Sequence, residues 1–238
     1  MARWGGYLGR SVFRFVIPPI CPVCLAQCRP EHGAICEECA RNLPEIPTPR
    51  CPGCGGELDG VLAKCADCLT ESVRPWIDAV SVFRFRDMPR KLVHRFKYGG
   101  CTYLAPFLGS RMAENWQEHS TAAVDLVVPV PLHWRRLWSR GYNQAGFLAD
   151  IVGDALGLPV RKALRRVRAT DRQALLDINR RRRNIKGAFG TRSKQWIDGR
   201  NVLLIDDVIT TGSTLSEAVE TLLDGGAQSV AILTCARG

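Results

Sequence analysis

Four C-x-x-C pairs follow one another early in the chain, at Cys21 and Cys24, Cys36 and Cys39, Cys51 and Cys54, and Cys65 and Cys68, with 11, 11 and 10 residues between successive pairs. A C-x-x-C turn lets two thiolates face one ion at about 2.3 Å, and two such turns close a tetrahedral site. Eight ligands therefore make two structural Zn²⁺ sites. Up to Leu69 the chain is rich in Cys, Pro and Gly, with turn signals at Pro18-Pro19 and Gly53 to Gly56 and no sustained helical period. Such a stretch has no ordinary apolar core to fold around. Its second half copies the ligand layout of the first, which favours sequential sites; an interleaved arrangement fits the same spacing. After Cys54, Gly55 or Gly56 supplies the positive φ that a tight knuckle needs, and Cys24-Leu25 stands at the equivalent place. Cys28, Cys101 and Cys235 are left over as free or partly buried thiols.

Eleven cysteines in a short secreted chain would read as a disulfide scaffold. Met1 to Ile20 argues otherwise. It mixes Arg3, Arg10 and Arg14 with aromatics, lacks an A-x-A-like cleavage site, and has no apolar run near the roughly 18 residues that span a bilayer. A cytoplasmic protein with reduced thiols and no membrane span is expected. The 238 residues, 46% of them hydrophobic, suffice for one full-sized domain and a small one. The divisions expected are an N-terminal segment at 1–20, a double zinc ribbon at 21–70 and a larger domain at 76–238. Net charge follows the same division. Residues 1–75 carry eight Lys/Arg and eight Asp/Glu, the remainder 25 and 15, so the excess of +10 lies in the larger domain. Any field for polyanions must originate there.

From Ala79 the pattern becomes α/β. Ala79 to Phe85 alternates like a strand, and Pro89 to Tyr98 has apolar residues at helical spacing. Val124 to Val130 and Val202 to Ile205 are continuous apolar strands, and Ser229 to Thr234 is a further strand. Between them, Asn143 to Leu156 reads as a helix ended by Gly157, and Ser213 to Leu223 as one closed by Gly225-Gly226. Strands alternating with helices predict a parallel sheet covered on both faces.

The most informative stretch is Val202-Leu-Leu-Ile-Asp206-Asp207-Val208-Ile-Thr210-Thr211-Gly212-Ser213-Thr214. An apolar strand delivers two adjacent carboxylates to its C-terminal end, where open α/β sheets bind ligands. A hydroxyl-rich loop then passes into a helix, whose first N–H groups and positive dipole end favour a phosphate dianion. Gly212 lets the backbone approach closely. Carboxylates beside a dianion are tolerated when they face a sugar diol or a cation-bound ligand. The run has apolar residues before acids, as a Walker B strand does, but no G-x-x-x-x-G-K-[ST] precedes it, which argues against a P-loop NTPase.

This run resembles the 5-phosphoribosyl-1-pyrophosphate (PRPP) motif of type I phosphoribosyltransferases at all thirteen positions. The resemblance implies a phosphoribosyltransferase-like parallel sheet flanked by helices, with Asp206 and Asp207 on the ribose hydroxyls and Val208 and Thr210 to Thr214 around the 5-phosphate. In an active enzyme the same two aspartates are the catalytic candidates, and Mg²⁺ accompanies PRPP.

A second anionic site is expected after Val128-Pro-Val-Pro131. There His133-Trp-Arg135-Arg136-Leu-Trp-Ser-Arg140 reads as a basic loop feeding a helix. Arg135, Arg136 and Arg140 are candidates for pyrophosphate or another polyanion. A longer basic run from Arg165 to Lys186 has eight arginines and a lysine against Asp171 and Asp177, and contains Thr170, Gln173, Arg181 and Asn184. With Arg140-Gly-Tyr-Asn-Gln144 and Phe96-Lys97-Tyr98-Gly99, it resembles the ComF/GntX family, competence-associated proteins that join a double zinc ribbon to a phosphoribosyltransferase domain. By position the run corresponds to the loop that closes over PRPP in the wider superfamily, and Arg181 joins the anion-binding candidates.

The resemblance implies binding of PRPP or a related ribose phosphate and a link to DNA uptake in natural competence. It leaves turnover open. An active enzyme would displace pyrophosphate from PRPP with a nucleobase or amine acceptor that no motif identifies, under a hood expected around Phe83 to Tyr98. Single-stranded DNA is the second expected partner, with Trp134, Trp138, Tyr142 and Trp196 placed among arginines where they could stack on bases. A third reading makes the ribbons a docking platform for a competence protein, beside a non-catalytic phosphoribosyltransferase fold.

Overall fold

The computed structural model of the chain describes residues 20–28, 34–58, 60–70, 74–168 and 186–238. Two short helices, α1 (Glu37–Arg41) and α2 (Ala66–Thr70), belong to the cysteine region. The larger domain runs β1 (Ala79–Arg84), α3 (Asp87–Tyr98), α4 (Ala105–His119), β2 (Leu126–Pro129), α5 (Trp134–Arg140), α6 (Gln144–Leu156), β3 (Leu164–Arg166), β4 (Phe189–Thr191), β5 (Asn201–Ile209), α7 (Ser213–Asp224) and β6 (Ser229–Arg237).

Among the described residues β1, β6, β5 and β2 form one sheet in that order, with every pairing parallel. Both faces are covered, so the middle stretches of the strands are largely apolar, and successive residues serve opposite cores. On β5, Leu203 and Ile205 pack with α3, α4 and α6, while Val202 and Leu204 pack with α7. The outer edges are paired too. Ile46 N–H donates to the Val82 carbonyl at 2.8 Å along β1, and Arg161 N–H donates to the Val127 carbonyl at 2.9 Å along β2. Each edge is thus covered in part by a neighbouring loop. Among the described residues, no helix is long and apolar enough to cross a membrane.

Several elements differ from their sequence signals. The alternation in β1 suggests a half-exposed strand, yet Ala79 through Phe83 are all buried. Ser81 is tolerated there because its hydroxyl donates to the Cys54 carbonyl at 2.9 Å and lies 2.7 Å from the Thr234 hydroxyl. Helix α3 begins at Asp87 rather than Pro89, since proline is accommodated in a first turn where its missing N–H has no partner to lose. β5 and β6 extend beyond their apolar runs to Ile209 and Arg237 because they pair with each other along that length. Helix α4 carries Pro106 in its first turn and packs on α6; it has no counterpart in the sequence reading. The stretch expected as a basic loop, Trp134 to Arg140, is helix α5.

Candidate functional site

The cysteines gather as Cys21, Cys24, Cys36 and Cys39 in one cluster and Cys51, Cys54, Cys65 and Cys68 in the other, with the sulfurs of each within 4.8 Å of one another. The half-repeat is explicit in the backbone. Cys21 N–H donates to the Ala26 carbonyl and Cys51 N–H to the Gly56 carbonyl, each at 2.7 Å, and Leu25 and Gly55 share a left-handed conformation at φ 66° and 65°. Donor chemistry fits a thiophilic dication. Backbone N–H groups of Cys39 and Cys65 point at the sulfurs of Cys36 and Cys51, at 3.5 and 3.4 Å, the outer-sphere hydrogen bonding that steadies a thiolate ligand. In the second cluster a hydrogen bond from Cys68 holds Cys54 down to about 4, helped by the Arg237 guanidinium, while the same bond, burial and the Cys54 charge push Cys68 far up. Four thiols gathered this closely are the donor set of a tetrahedral Zn²⁺ site.

The second feature is a small, open hollow at the C-terminal end of β5, lined by Asp206 and residues 208–215. β5 carries the acids to the rim, and only Thr210 to Gly212 separate it from α7. Gly212 precedes the helix at φ 77°, a conformation that disfavours any residue with a Cβ. The Thr211 and Ser213 hydroxyls lie 3.0 Å apart. All the residues expected around a 5-phosphate therefore share this hollow.

The two aspartates do not share it. Neighbours on a strand face opposite sides, and Asp207 turns toward α3, where its Oδ1 meets Lys97 Nζ at 2.9 Å. Their side chains are only 13% and 19% exposed, so the pair is weakly screened. Asp206 lines the hollow and accepts the Asp207 N–H at 2.8 Å. Burial first, and the Asp207 charge second, push its carboxyl up to about 7, against the pull of Lys97 and Arg166. Asp206 thus ionises less readily than a free carboxyl, which reduces its repulsion of an anion in the hollow.

Of the basic candidates, Arg136 is half-buried and acts on the same neighbourhood. Burial, then the Arg136 charge, lower the Arg166 guanidinium to about 10, with Asp206 opposing. Arg140 is engaged elsewhere: it donates to Tyr98 Oη at 2.9 Å and to Gln144 Oε1 at 3.2 Å, and lies over the Tyr98 ring. The Arg135 side chain, Arg181, Thr170, Gln173 and Asn184 lie outside the described residues, as does the stretch read as a closing loop, 169–185. β3 and β4, an antiparallel pair, bracket that stretch and carry Arg166. Trp134 and Trp138 are 59% and 86% exposed, whereas Tyr142 is tied to the Phe96 carbonyl and Trp196 packs against the α7-side core. Within the expected hood, Phe83 is a core residue and the α3 end supplies Lys97 and Tyr98 instead.

Sequence reasoning left Lys97, Arg166 and Arg74 out of the site. Lys97 lies in the quoted Phe96-Lys97-Tyr98-Gly99 motif and Arg166 in the basic run, so both carried a signal. Arg74, which donates to the Thr211 carbonyl at 2.8 Å, carried none.

Comparison with known proteins agrees with this two-part construction. The phosphoribosyl transferase domain model matches residues 140–238, and the double zinc ribbon domain model residues 12–69. DNA utilization protein YhgH of Salmonella typhi is 33% identical over 221 residues, covering 91% of this chain and 96% of that protein. Competence protein F of Haemophilus influenzae is 31% identical over 223 residues, at the same coverage of both. Competence protein ComFC of Bacillus subtilis is 30% identical over 209 residues, covering 85% of this chain and 84% of that one. The chain belongs to the ComF/GntX family, a double zinc ribbon joined to a phosphoribosyltransferase-like domain.

Proposed function

We propose that the hollow at the end of β5 binds the ribose 5-phosphate group of PRPP or a related ribose phosphate, in a cytoplasmic protein that serves DNA uptake or utilization. The observation that carries the proposal is the meeting of Asp206 with the Thr210 to Thr214 loop in one hollow, a diol acceptor beside a ring of hydroxyls and helix N–H groups. In this proposal Thr210, Thr211, Gly212, Ser213 and Thr214 take the 5-phosphate and Asp206 a ribose hydroxyl, and Asp207 reaches the second hydroxyl when its ion pair with Lys97 opens. Arg136 and Arg166 face the leaving diphosphate. Mg²⁺ would enter with PRPP on its diphosphate oxygens. The cytoplasmic placement is supported by thiol ligands that must stay reduced.

The link to DNA follows from the names of the relatives, DNA utilization protein and competence protein. Trp134 and Trp138 on α5, 59% and 86% exposed, favour single-stranded DNA as a further partner, since exposed indoles suit base stacking. The ribbons are the proposed docking element for a competence protein.

Calorimetric titration of PRPP with Mg²⁺ into the wild-type chain and into the Asp206→Asn, Asp207→Asn double variant tests the central proposal. Saturable binding lost in the variant is expected; equal affinity in the two proteins would overturn it. Pyrophosphate release on addition of nucleobases or amines decides whether binding leads to turnover.

A further inference from the structure

The phosphate loop is held from outside as well as by its own helix. Arg74, in the segment that joins the second ribbon to β1, donates from Nη1 to the Thr211 carbonyl at 2.8 Å. Its guanidinium lies over the Trp76 ring, 5.4 Å from the centroid. Trp76 is buried, and its Nε1 donates to the Gly53 carbonyl at 3.0 Å, inside the Cys51-x-x-Cys54 turn. Gly212 permits the approach, because a Cβ there would stand 2.5 Å from Arg74 Nη1.

In a trans peptide the carbonyl and the following N–H point in opposite directions. With the Thr211 carbonyl drawn to Arg74, the Gly212 N–H is turned away from Arg74. If the peptide were reversed, it would present a carbonyl oxygen to an incoming dianion and repel it.

We propose that Arg74 is a positioning residue for the phosphate loop, locking the Thr211-Gly212 peptide with its N–H toward the ligand, and that Trp76 and the second ribbon hold Arg74 in place. The inference rests on the ribose phosphate proposal. It gives the second ribbon a part in ligand affinity without any contact between ribbon and ligand.

Ribose 5-phosphate is titrated into full-length, zinc-loaded wild type, Arg74→Ala, Arg74→Lys and Trp76→Phe, with zinc content and melting temperature as checks of folding. Arg74→Ala should weaken binding about tenfold, roughly the share of one hydrogen bond to a charged group. Arg74→Lys, which retains a donor, should recover part of the loss. Trp76→Phe, which keeps a ring but not the indole N–H, should fall between. The Gly212 amide resonance should move on ligand addition in wild type and shift between free wild type and free Arg74→Ala. Binding within twofold of wild type in Arg74→Ala overturns the positioning role. If wild type itself does not bind, the ribose phosphate proposal fails, and the lock is then judged on the free proteins: an unmoved Gly212 amide in Arg74→Ala overturns it. Should Arg74→Ala fail to fold, Trp76→Phe carries the test, and wild-type affinity there overturns the brace.

Discussion

The two ribbons are nearly the same object in sequence and quite different objects in the fold. Cys24 and Cys54 occupy the same place in the half-repeat, yet Cys24 is exposed and Cys54 is 1% exposed. Leu25, in the left-handed conformation just after Cys24, is 64% exposed. Gly55, its counterpart, lies against the backbone of β1, where a Cβ would come within 2.4 Å of the Ser81 nitrogen. The cysteines of the first ribbon pack on the α3, α4 and α6 side of the sheet, and those of the second on the α7 side, which continues toward the phosphate loop. Repetition of a ligand pattern thus yields two ribbons packed on opposite faces of the sheet, one with its Cys24 knuckle exposed and the other with its Cys54 knuckle buried against β1.

Ligand removal gives the largest contrast. A structural zinc contributes on the order of 10 kcal/mol to folding, comparable with the whole stability of a domain. Cys24→Ser should lower zinc to one ion per chain and loosen the first ribbon, while the sheet melts close to the wild-type temperature. Cys54→Ser should remove the other ion and destabilise the β1 edge as well, with a clear fall in the main calorimetric transition. Equal main transitions in the two variants would erase the distinction between the ribbons.

At the turn itself the same substitution logic acts with opposite signs. Gly55→Ala combines a left-handed backbone with overpacking against Ser81 and should cost about 2 to 5 kcal/mol. Leu25→Gly relieves left-handed strain at an exposed site and should be neutral or stabilising by up to about 1 kcal/mol. Urea midpoints of the two variants provide the comparison, and a stabilised Gly55→Ala would contradict the docked geometry. A smaller effect is expected at the seam. Ser81→Ala leaves the Cys54 carbonyl without its hydroxyl donor and removes the Thr234 contact, for a loss of about 1 to 3 kcal/mol seen in the same urea series. The smallest belongs to Asp67, which pairs with Arg237 at 2.6 Å but is 69% exposed. Asp67→Asn should change stability by less than about 1 kcal/mol and lose even that in high salt. A larger, salt-independent loss would mean that this pair, rather than Ser81 and Gly55, anchors the ribbon.

Legibility followed the range of the interaction. The cysteine pairs were readable because each knuckle closes within four residues, and the order of strands and helices because burial imposes periods of two and 3.6. Helix α5 was missed since its charged surface looks like a solvated loop when nothing shows what its other face touches. β5 was read four residues short because Asp206 to Ile209 break the apolar run, and only their pairing with β6 keeps them in the strand. Of the candidate site, the hydroxyl loop and both acids were explicit. Their division between two faces was present in principle, since adjacent strand residues alternate, but the partner of Asp207 was not.

The sequence by itself determined the ligand set of two zinc ribbons, a parallel α/β domain and a loop suited to phosphate, all consequences of residues close together along the chain. Tertiary structure decided which face of the sheet each ribbon packs on, that Lys97 meets Asp207, and that Arg74 reaches Thr211 across 137 residues. Those pairings depend on how the sheet edge, the linker and the helix ends are brought together, and side chains so far apart carry no local periodicity that would announce their contact.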